Sequence, residues 1–493
     1  MKITLNPHYV LKNDDGCVLL LTKKTLADND DVIDDNVNSA IHPFHAKILS
    51  FVNGGEYEET IDNASKNLNI DREKIKKFID ALIENPNQIG PVYKKAIIGF
   101  PRNTIIKSDY HRDPAYKTDD FEYDHVDVAL RRHKTPSTLT LMINNICSTN
   151  CVYCYADKRK PTTAQIPLNR LKELIAEARK IGVVDFDLIG GEVFLYKEWK
   201  ELVKCFIDNG YEPYLSTKHP LKEDDVKYLA EIGLTHLQVS LDSMVPLHLT
   251  KILRVKPDYI IELEKSFCYL EKYNIPVIVH SILSRYGETA EDIMSVYDFL
   301  SRYSNIRYWL TEVAGPSIYA KKDFSEFKVH KESLKKLSKI LDEIVGKASF
   351  RVINGINKEL EEEPKDISFD QKMDEFMSRG LCSGNFSHMY ILPTGDVTIC
   401  EELYWNPHFL IGDVKKQSLL EIWTSEKALS VYNLKQCDIP KDSACADCEF
   451  FSDCRDVRQM CYRDTVKAYG EDKWYYPDVS CPKAPKPFYD NKI

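Results

Sequence analysis

The 493-residue chain has no apolar run approaching the length that spans a bilayer. Its first residues, Met1-Lys-Ile-Thr-Leu-Asn-Pro7, lack the apolar core of an export signal, so a cytoplasmic location is expected. An excess of positive charge is also missing. The formal net charge of −10 argues against a general affinity for nucleic acid or for an anionic membrane. No internal repeat is visible. Without export, disulfides have little reason to form. The 14 cysteines then read as metal ligands or reduced thiols in a cytosol low in oxygen. What remains is the balance of a soluble globular enzyme, 29% charged and 43% apolar, with a length that suggests two to four domains.

The cysteines are unevenly placed. Cys147, Cys151 and Cys154 form a C-x3-C-x2-C run directly after an apolar strand-like segment, and eight more lie from Cys382 to Cys481. Three thiolates can hold a cubane iron–sulfur cluster at three corners and leave the fourth iron open for a cofactor or substrate. Cys17, Cys205 and Cys268 occur singly within apolar patterns and read as core thiols.

Around these motifs the chain divides by texture. Residues 1–90 read as a small winged-helix-like module. A hairpin, Tyr9–Leu11 and Val18–Leu21, turns through Asn13-Asp-Asp-Gly16, and three amphipathic helices follow in 42–52, 57–68 and from Asp71 onward. Residues 91–135 are charged, without clean periodicity, and are expected to be a surface connector. From 136 to 345 strand and helix alternate. Six strands are expected at Leu139–Ile143, Asp185–Ile189, Glu212–Ser216, His236–Ser240, Pro276–Ser281 and Ile306–Thr311. Such β-then-α steps imply an α/β fold whose parallel strands form a partial (β/α)6 barrel like that of TIM proteins, with functional groups at the carboxyl ends of the strands. Residues 346–378, with Glu361-Glu-Glu-Pro364, read as a linker. Residues 379–493 read as a cysteine-rich domain.

The triplet loop, with Tyr153 before its last cysteine, resembles the radical S-adenosylmethionine enzymes over about residues 136–345. The resemblance implies a [4Fe-4S] cluster on Cys147, Cys151 and Cys154 whose open iron binds S-adenosylmethionine. One electron then releases a 5′-deoxyadenosyl radical. It further implies that Gly190-Gly191-Glu192 contacts the methionyl amine, although Val193 stands where the family has proline. Ser216, Ser240 and Asp242 match its ribose- and carboxylate-contacting positions, and Arg254 an arginine that pairs with the cofactor carboxylate. A partial zinc site or three buried thiols is the plainer alternative for the triplet.

The later cysteines resemble the SPASM extension of the same enzymes, which carries auxiliary [4Fe-4S] clusters. Carried over, Cys445, Cys448, Cys454 and Cys481 hold an outer cluster, and Cys382, Cys400 and Cys461 an inner one. The inner cluster's fourth ligand is Cys437, or that corner is open. Six residues separate Cys454 from Cys461 where the family has three. Paired zinc sites are the alternative that C-x2-C spacing suggests.

The first module resembles the leader-recognition domain related to the pyrroloquinoline quinone peptide chaperone, through Ile41-His-Pro-Phe44, Ile48–Phe51 and Asn53-Gly54. In that family a leader peptide adds as a strand to the small sheet and packs on the third helix. The acidic stretch Asp28–Asp35 argues against DNA for this module. Together the blocks imply a maturase that cross-links a ribosomally made precursor peptide, served by an external one-electron donor such as a flavodoxin or ferredoxin. Formylglycine formation in a sulfatase, or a non-catalytic iron–sulfur protein, are the alternatives.

Overall fold

The computed structural model describes residues 1–23, 37–90, 99–156, 161–317, 324–360, 367–403, 406–456 and 459–488, and the backbone of 92–93 and 96–97. The acidic stretch 28–35 and the linker motif 361–364 lie outside the described residues.

The N-terminal hairpin forms as expected, with Tyr9–Asn13 antiparallel to Val18–Thr22. Gly16 takes a left-handed φ of +70° at its turn, which a side chain would resist. Asn38–Ile41 adds to Val18–Thr22 as the terminal strand of this sheet. The three helices are Pro43–Leu49, Tyr57–Leu68 and Arg72–Leu82. Asp71 caps the last by accepting from Glu73 N (3.1 Å) and Lys74 N (3.2 Å). A second sheet sets Lys2–Leu5 between Asn53–Glu56 and Ile105–Lys107. The stretch expected as a connector therefore supplies a strand, and its Phe100 and Phe121 join the core of this module. These contributions are too short and too scattered to leave a period in the sequence.

The barrel strands are Thr138–Met142, Asp185–Ile189, Ser216–Thr217, Leu237–Ser240, Val277–Leu283 and Ile306–Val313. Helices alternate with them, and every barrel pairing is parallel. Two departures from expectation shape the wall. The third strand shrinks to two residues, because Pro213 removes a ladder donor from the segment expected to pair. The wall accordingly divides between the second and third strands into two ladders. A seventh strand, Arg351–Asn354, follows Ile306–Val313 in parallel within the expected linker.

The C-terminal domain is built onto this wall. His388–Ile391 runs parallel to Thr138–Met142 on the edge opposite Asp185–Ile189, with His388 facing Thr138 and Ile391 facing Leu141. Asp396–Thr398 and Gly412–Asp413 continue the sheet antiparallel. Its apolar side joins the core between the barrel strands and their helices: Leu139, Val279, Trp309, Met389, Val397 and Trp423 belong to one buried cluster with Leu171 and Phe267.

Residues 132–137 tie all three parts together. The buried Lys12 amine donates to Thr135 O (2.9 Å), Pro136 O (2.7 Å) and Ser137 Oγ (2.9 Å). Buried His133 lies between Ser137 Oγ (2.6 Å) and Asn38 Oδ1 (3.1 Å). The Arg132 guanidinium stacks 3.7 Å from the Trp423 ring and donates to Asn385 O (2.7 Å) and Trp423 O (2.8 Å).

Cys17 is buried and Cys205 half-buried, but Cys268 is exposed. It lies off the stripe of Leu263, Phe267 and Leu270 that its helix buries.

A chain ending at residue 378 leaves the first barrel strand with an unpaired edge and uncovers Leu139 and Leu141. We expect that fragment to aggregate rather than stand as a soluble barrel. Size-exclusion chromatography beside the full chain checks this; a monodisperse, folded fragment would contradict it.

Candidate functional site

The triplet loop leaves the carboxyl end of the first strand and is pinned from one side. Asn150 N donates to Leu253 O (2.9 Å) and Val152 N to Ile252 O (3.0 Å), on helix Pro246–Leu253. Thr149 Oγ1 lies 3.3 Å from both Cys147 Sγ and Cys151 Sγ. The Tyr153 hydroxyl donates to Asp242 Oδ2, and Asp242 Oδ1 accepts from Ile282 N (2.9 Å). Asp242 is 2% exposed with both oxygens engaged inside the protein. Asp242, matched to a cofactor contact, also anchors the cysteine loop. Burial pushes the Cys151 thiol up to about 11. A buried thiolate needs a nearby cation, which a bound iron would supply.

The second strand ends in Gly190-Gly191-Glu192, and Asn144, just past the first strand, holds that loop. Its Oδ1 accepts from Gly191 N (3.1 Å) and Glu192 N (3.2 Å), while Nδ2 donates to Glu192 O (2.8 Å). A Cβ on Gly191 would fall 2.3 Å from Ile146 O, so glycine is required for the loop to press against the residue before Cys147. Val193, in the place of proline, opens a 3₁₀ turn to Leu195. Glu192 is 1% exposed. Its Oε2 accepts from Thr217 Oγ1 (2.9 Å) and Lys218 N (3.3 Å), and its Oε1 from Phe194 N (3.2 Å). Burial lifts the carboxyl to about 7.

Ser240 ends the fourth strand, buried, with Oγ accepting from Gln238 Nε2 (2.9 Å). Register puts it opposite His280 on the inner face. There His280 Nε2 pairs with Glu312 Oε2 at 2.9 Å, which holds the Glu312 carboxyl below its usual range. Ser216 is half-buried on the shortened third strand. Arg254 stands exposed in a left-handed conformation (φ +56°) at the end of helix Pro246–Leu253. Asn144, Thr149, His280 and Glu312 escaped the sequence reading. Only Asn144 and Thr149 had a signal, their closeness to the triplet.

Among the described residues, no three His, Cys, Asp or Glu side chains converge on a single ion. In the C-terminal domain, Cys445, Cys448, Cys454 and Cys481 instead ring one small apolar cavity with Met373, Phe376 and Phe451. This is the set the resemblance implied for the outer cluster, and four thiols in an apolar chamber fit an iron–sulfur group. Two guanidiniums approach the sulfurs. Arg379 Nη2 donates to Cys454 Sγ at 3.3 Å and Arg455 Nη2 to Cys445 Sγ at 3.8 Å. Arg379 Nε is buried and, among the described residues, has no hydrogen-bond partner.

Cys382 Sγ lies 3.5 Å from where a Cβ on Gly384 would stand, a glycine packed on Ile399 O beside Cys400. Burial pushes the Cys400 thiol up to about 12. Cys461 N donates to Asp478 Oδ2 (2.9 Å) at the start of helix Tyr462–Tyr469. Cys437 is exposed on a turn, its Sγ 3.8 Å from Asp438 Oδ1, and does not line the four-thiol cavity.

Residues 141–300 match the Radical SAM superfamily, and residues 382–449 match SPASM, an iron–sulfur cluster-binding domain. The chain thus carries a radical S-adenosylmethionine domain and an iron–sulfur domain, whose cofactors are [4Fe-4S] clusters and S-adenosylmethionine. It is 28% identical over 168 residues to the sporulation killing factor maturation protein SkfB of Bacillus subtilis (strain 168), covering 33% of this chain and 39% of that protein. To a probable GTP 3′,8-cyclase of Methanothermobacter thermautotrophicus it is 25% identical over 171 residues, 34% of this chain and 55% of that protein. The chain therefore spans less than two thirds of the length of these curated relatives. Among solved structures, Streptococcus suis SuiB bound to S-adenosylmethionine aligns with a TM-score of 0.62 at 15% identity, over 97% of this chain and 99% of that one. SuiB bound to its precursor peptide SuiA gives the same values. This likeness is one of fold, and it spans all three parts of the chain.

Two outcomes follow from the electrostatics. Where Glu192 receives the methionyl ammonium, as the resemblance implies, only its ionised carboxylate offers a charge, so S-adenosylmethionine affinity should fall as pH drops below about 7, by up to about tenfold per unit. Anaerobic calorimetry on reconstituted protein measures it, and Glu192→Gln should flatten the profile. Hydrogen bonds to cluster sulfurs tune reduction potential, and a fixed positive charge favours the reduced state. Arg379→Met should therefore lower the midpoint potential of the outer cluster, with about a tenfold shift in the equilibrium, ~59 mV for one electron. A redox titration followed by electron paramagnetic resonance reads this, and an unchanged potential would remove Arg379 from that role.

Proposed function

We propose that this protein is a radical S-adenosylmethionine maturase that installs an intramolecular cross-link, thioether or carbon–carbon, in a ribosomally made precursor peptide. One observation carries the reading. A small sheet-and-helix module, a barrel with an open-cornered thiol triplet at its mouth and a domain with a four-thiol chamber occur in one chain, and its fold follows SuiB end to end. SkfB, a relative by sequence, is named a sporulation killing factor maturation protein, and SuiB is solved with its precursor peptide SuiA; both support a peptide-maturing role.

Cys147, Cys151 and Cys154 hold the first cluster, which supplies the electron that frees a hydrogen-abstracting radical from bound S-adenosylmethionine. Glu192 receives the methionyl amine, and the Asn144 brace keeps the glycine loop in place for it. Ser216 and Ser240 face the ribose and Arg254 the cofactor carboxylate. Asp242 keeps Tyr153, and with it the cysteine loop, from shifting. The hydrogen-bonded His280–Glu312 pair lies on the inner barrel face, one strand across from Ser240, placed to take the proton released when the new bond forms. Cys382, Cys400 and Cys461 hold the inner cluster. Exposed Cys437 leaves its fourth corner open. The leader adds to the terminal strand Asn38–Ile41 and packs on helix Arg72–Leu82. At that helix His45 stacks on Phe78 at 4.8 Å, and Phe100 meets both rings at 5.4 Å.

Anaerobic reaction of the reconstituted protein with a precursor peptide and a strong reductant should yield 5′-deoxyadenosine and a peptide lighter by two hydrogens. Replacing Cys147, Cys151 and Cys154 with alanine should abolish both. An unchanged peptide mass, with deoxyadenosine still formed, would exclude cross-linking.

A further inference from the structure

A groove of about 790 Å³ opens where the C-terminal domain meets residues 130–134. Its charge is opposite to that of the chain as a whole. Arg131, Arg132, Lys134, Lys435 and Arg455 line it against Asp15 and Asp456 only, in a protein of net charge −10. Arg131 is paired with Asp127 at 2.5 Å, and Arg132 is held by Asn385 and Trp423. Lys134 and Lys435, both exposed, present their charge outward.

The floor of the groove is also the wall of the four-thiol chamber. Phe451 and Arg455 line both spaces. Gln436, another lining residue, donates through Nε2 to Cys445 O (3.1 Å) and Cys448 O (2.8 Å). A single layer of side chains thus separates the groove from the thiols.

We propose that this groove is the docking surface for a small acidic one-electron carrier protein, and that the electron crosses the Phe451–Arg455 layer to the outer cluster. The charge pattern selects the partner, since a cationic patch on an acidic protein steers an acidic partner while the remaining surface repels it. The thin wall selects the chemistry. A reduced flavin or iron–sulfur carrier loses one electron, the outer cluster gains it, and no bond or proton changes hands. The proposal rests on the four thiols carrying a cluster and is independent of which substrate the barrel takes.

The experiment uses the full chain with Cys147, Cys151 and Cys154 changed to alanine, so that auxiliary clusters alone give the spectrum, and hydroquinone flavodoxin as the probe. Stopped-flow absorbance should show the reduction rate falling as ionic strength rises. It should fall about tenfold in Lys134→Glu/Lys435→Glu, with Lys134→Gln/Lys435→Gln between. Dithionite, a small reductant that needs no docking, should reduce all variants alike, which separates a lost surface from a lost cluster. A flavodoxin rate indifferent to salt and to both charge reversals would overturn the proposal. So would an unaltered rate accompanied by weakened precursor-peptide binding, which would assign the groove to the peptide. Neither result touches peptide maturation, since that is assayed with dithionite and intact cysteines.

Discussion

Much of this molecule depends on one strand being paired along both edges. Thr138–Met142 runs parallel to Asp185–Ile189 on one side and to His388–Ile391 on the other. The first partner ends in the glycine loop, the second belongs to the cysteine-rich domain, and the strand itself ends in the triplet. Two backbone ladders therefore set where three functional regions lie relative to one another. Backbone hydrogen bonds are well suited to this, because a parallel ladder fixes register in whole residues. Residues 132–137, just upstream, extend the arrangement to the N-terminal module through Lys12, Asn38 and His133.

The site shows what burial does to ionisable groups and how the protein answers it. Asp242 and Glu192 are both nearly sealed from solvent, and each has both oxygens engaged by hydrogen bonds within the protein. Asp242 is satisfied by a tyrosine hydroxyl and a backbone amide and serves as a fixed post. Glu192 is lifted to about 7, poised to ionise when a cation arrives. The thiols follow the same logic, for those raised by burial, such as Cys151 and Cys400, become good ligands only beside a metal. At the four-thiol chamber, the two arginines place positive charge against sulfur in apolar surroundings, where such charge is least screened.

Much of this was legible in the sequence because the signals are local. Alternation of strand and helix located five of the six strands closely, Asp185–Ile189 to the residue. The third failed where Pro213 interrupts pairing. Asp71 as a helix cap and Asn13–Gly16 as a turn are chemistry within a few residues, and both stand in the structure. The strands Arg351–Asn354 and His388–Ile391 were missed because each is four residues long and owes its existence to a partner. His280 and Glu312 were missed because their pairing is a property of neighbouring strands.

Spacing along the chain pointed to the kind of chemistry: three cysteines within eight residues, behind a strand, carry the resemblance that implies a cluster with an open corner. It also determined the parallel α/β class, through periodicity alone. Tertiary structure decided which of the later thiols share a chamber and brought Arg379 and Arg455 to the sulfurs. It also showed Asp242 bonded to Tyr153 of the cysteine loop. The Arg379–Cys454 and Asp242–Tyr153 contacts join residues 75 and 89 positions apart. No local pattern encodes such contacts, because their energy appears only when both partners are buried together.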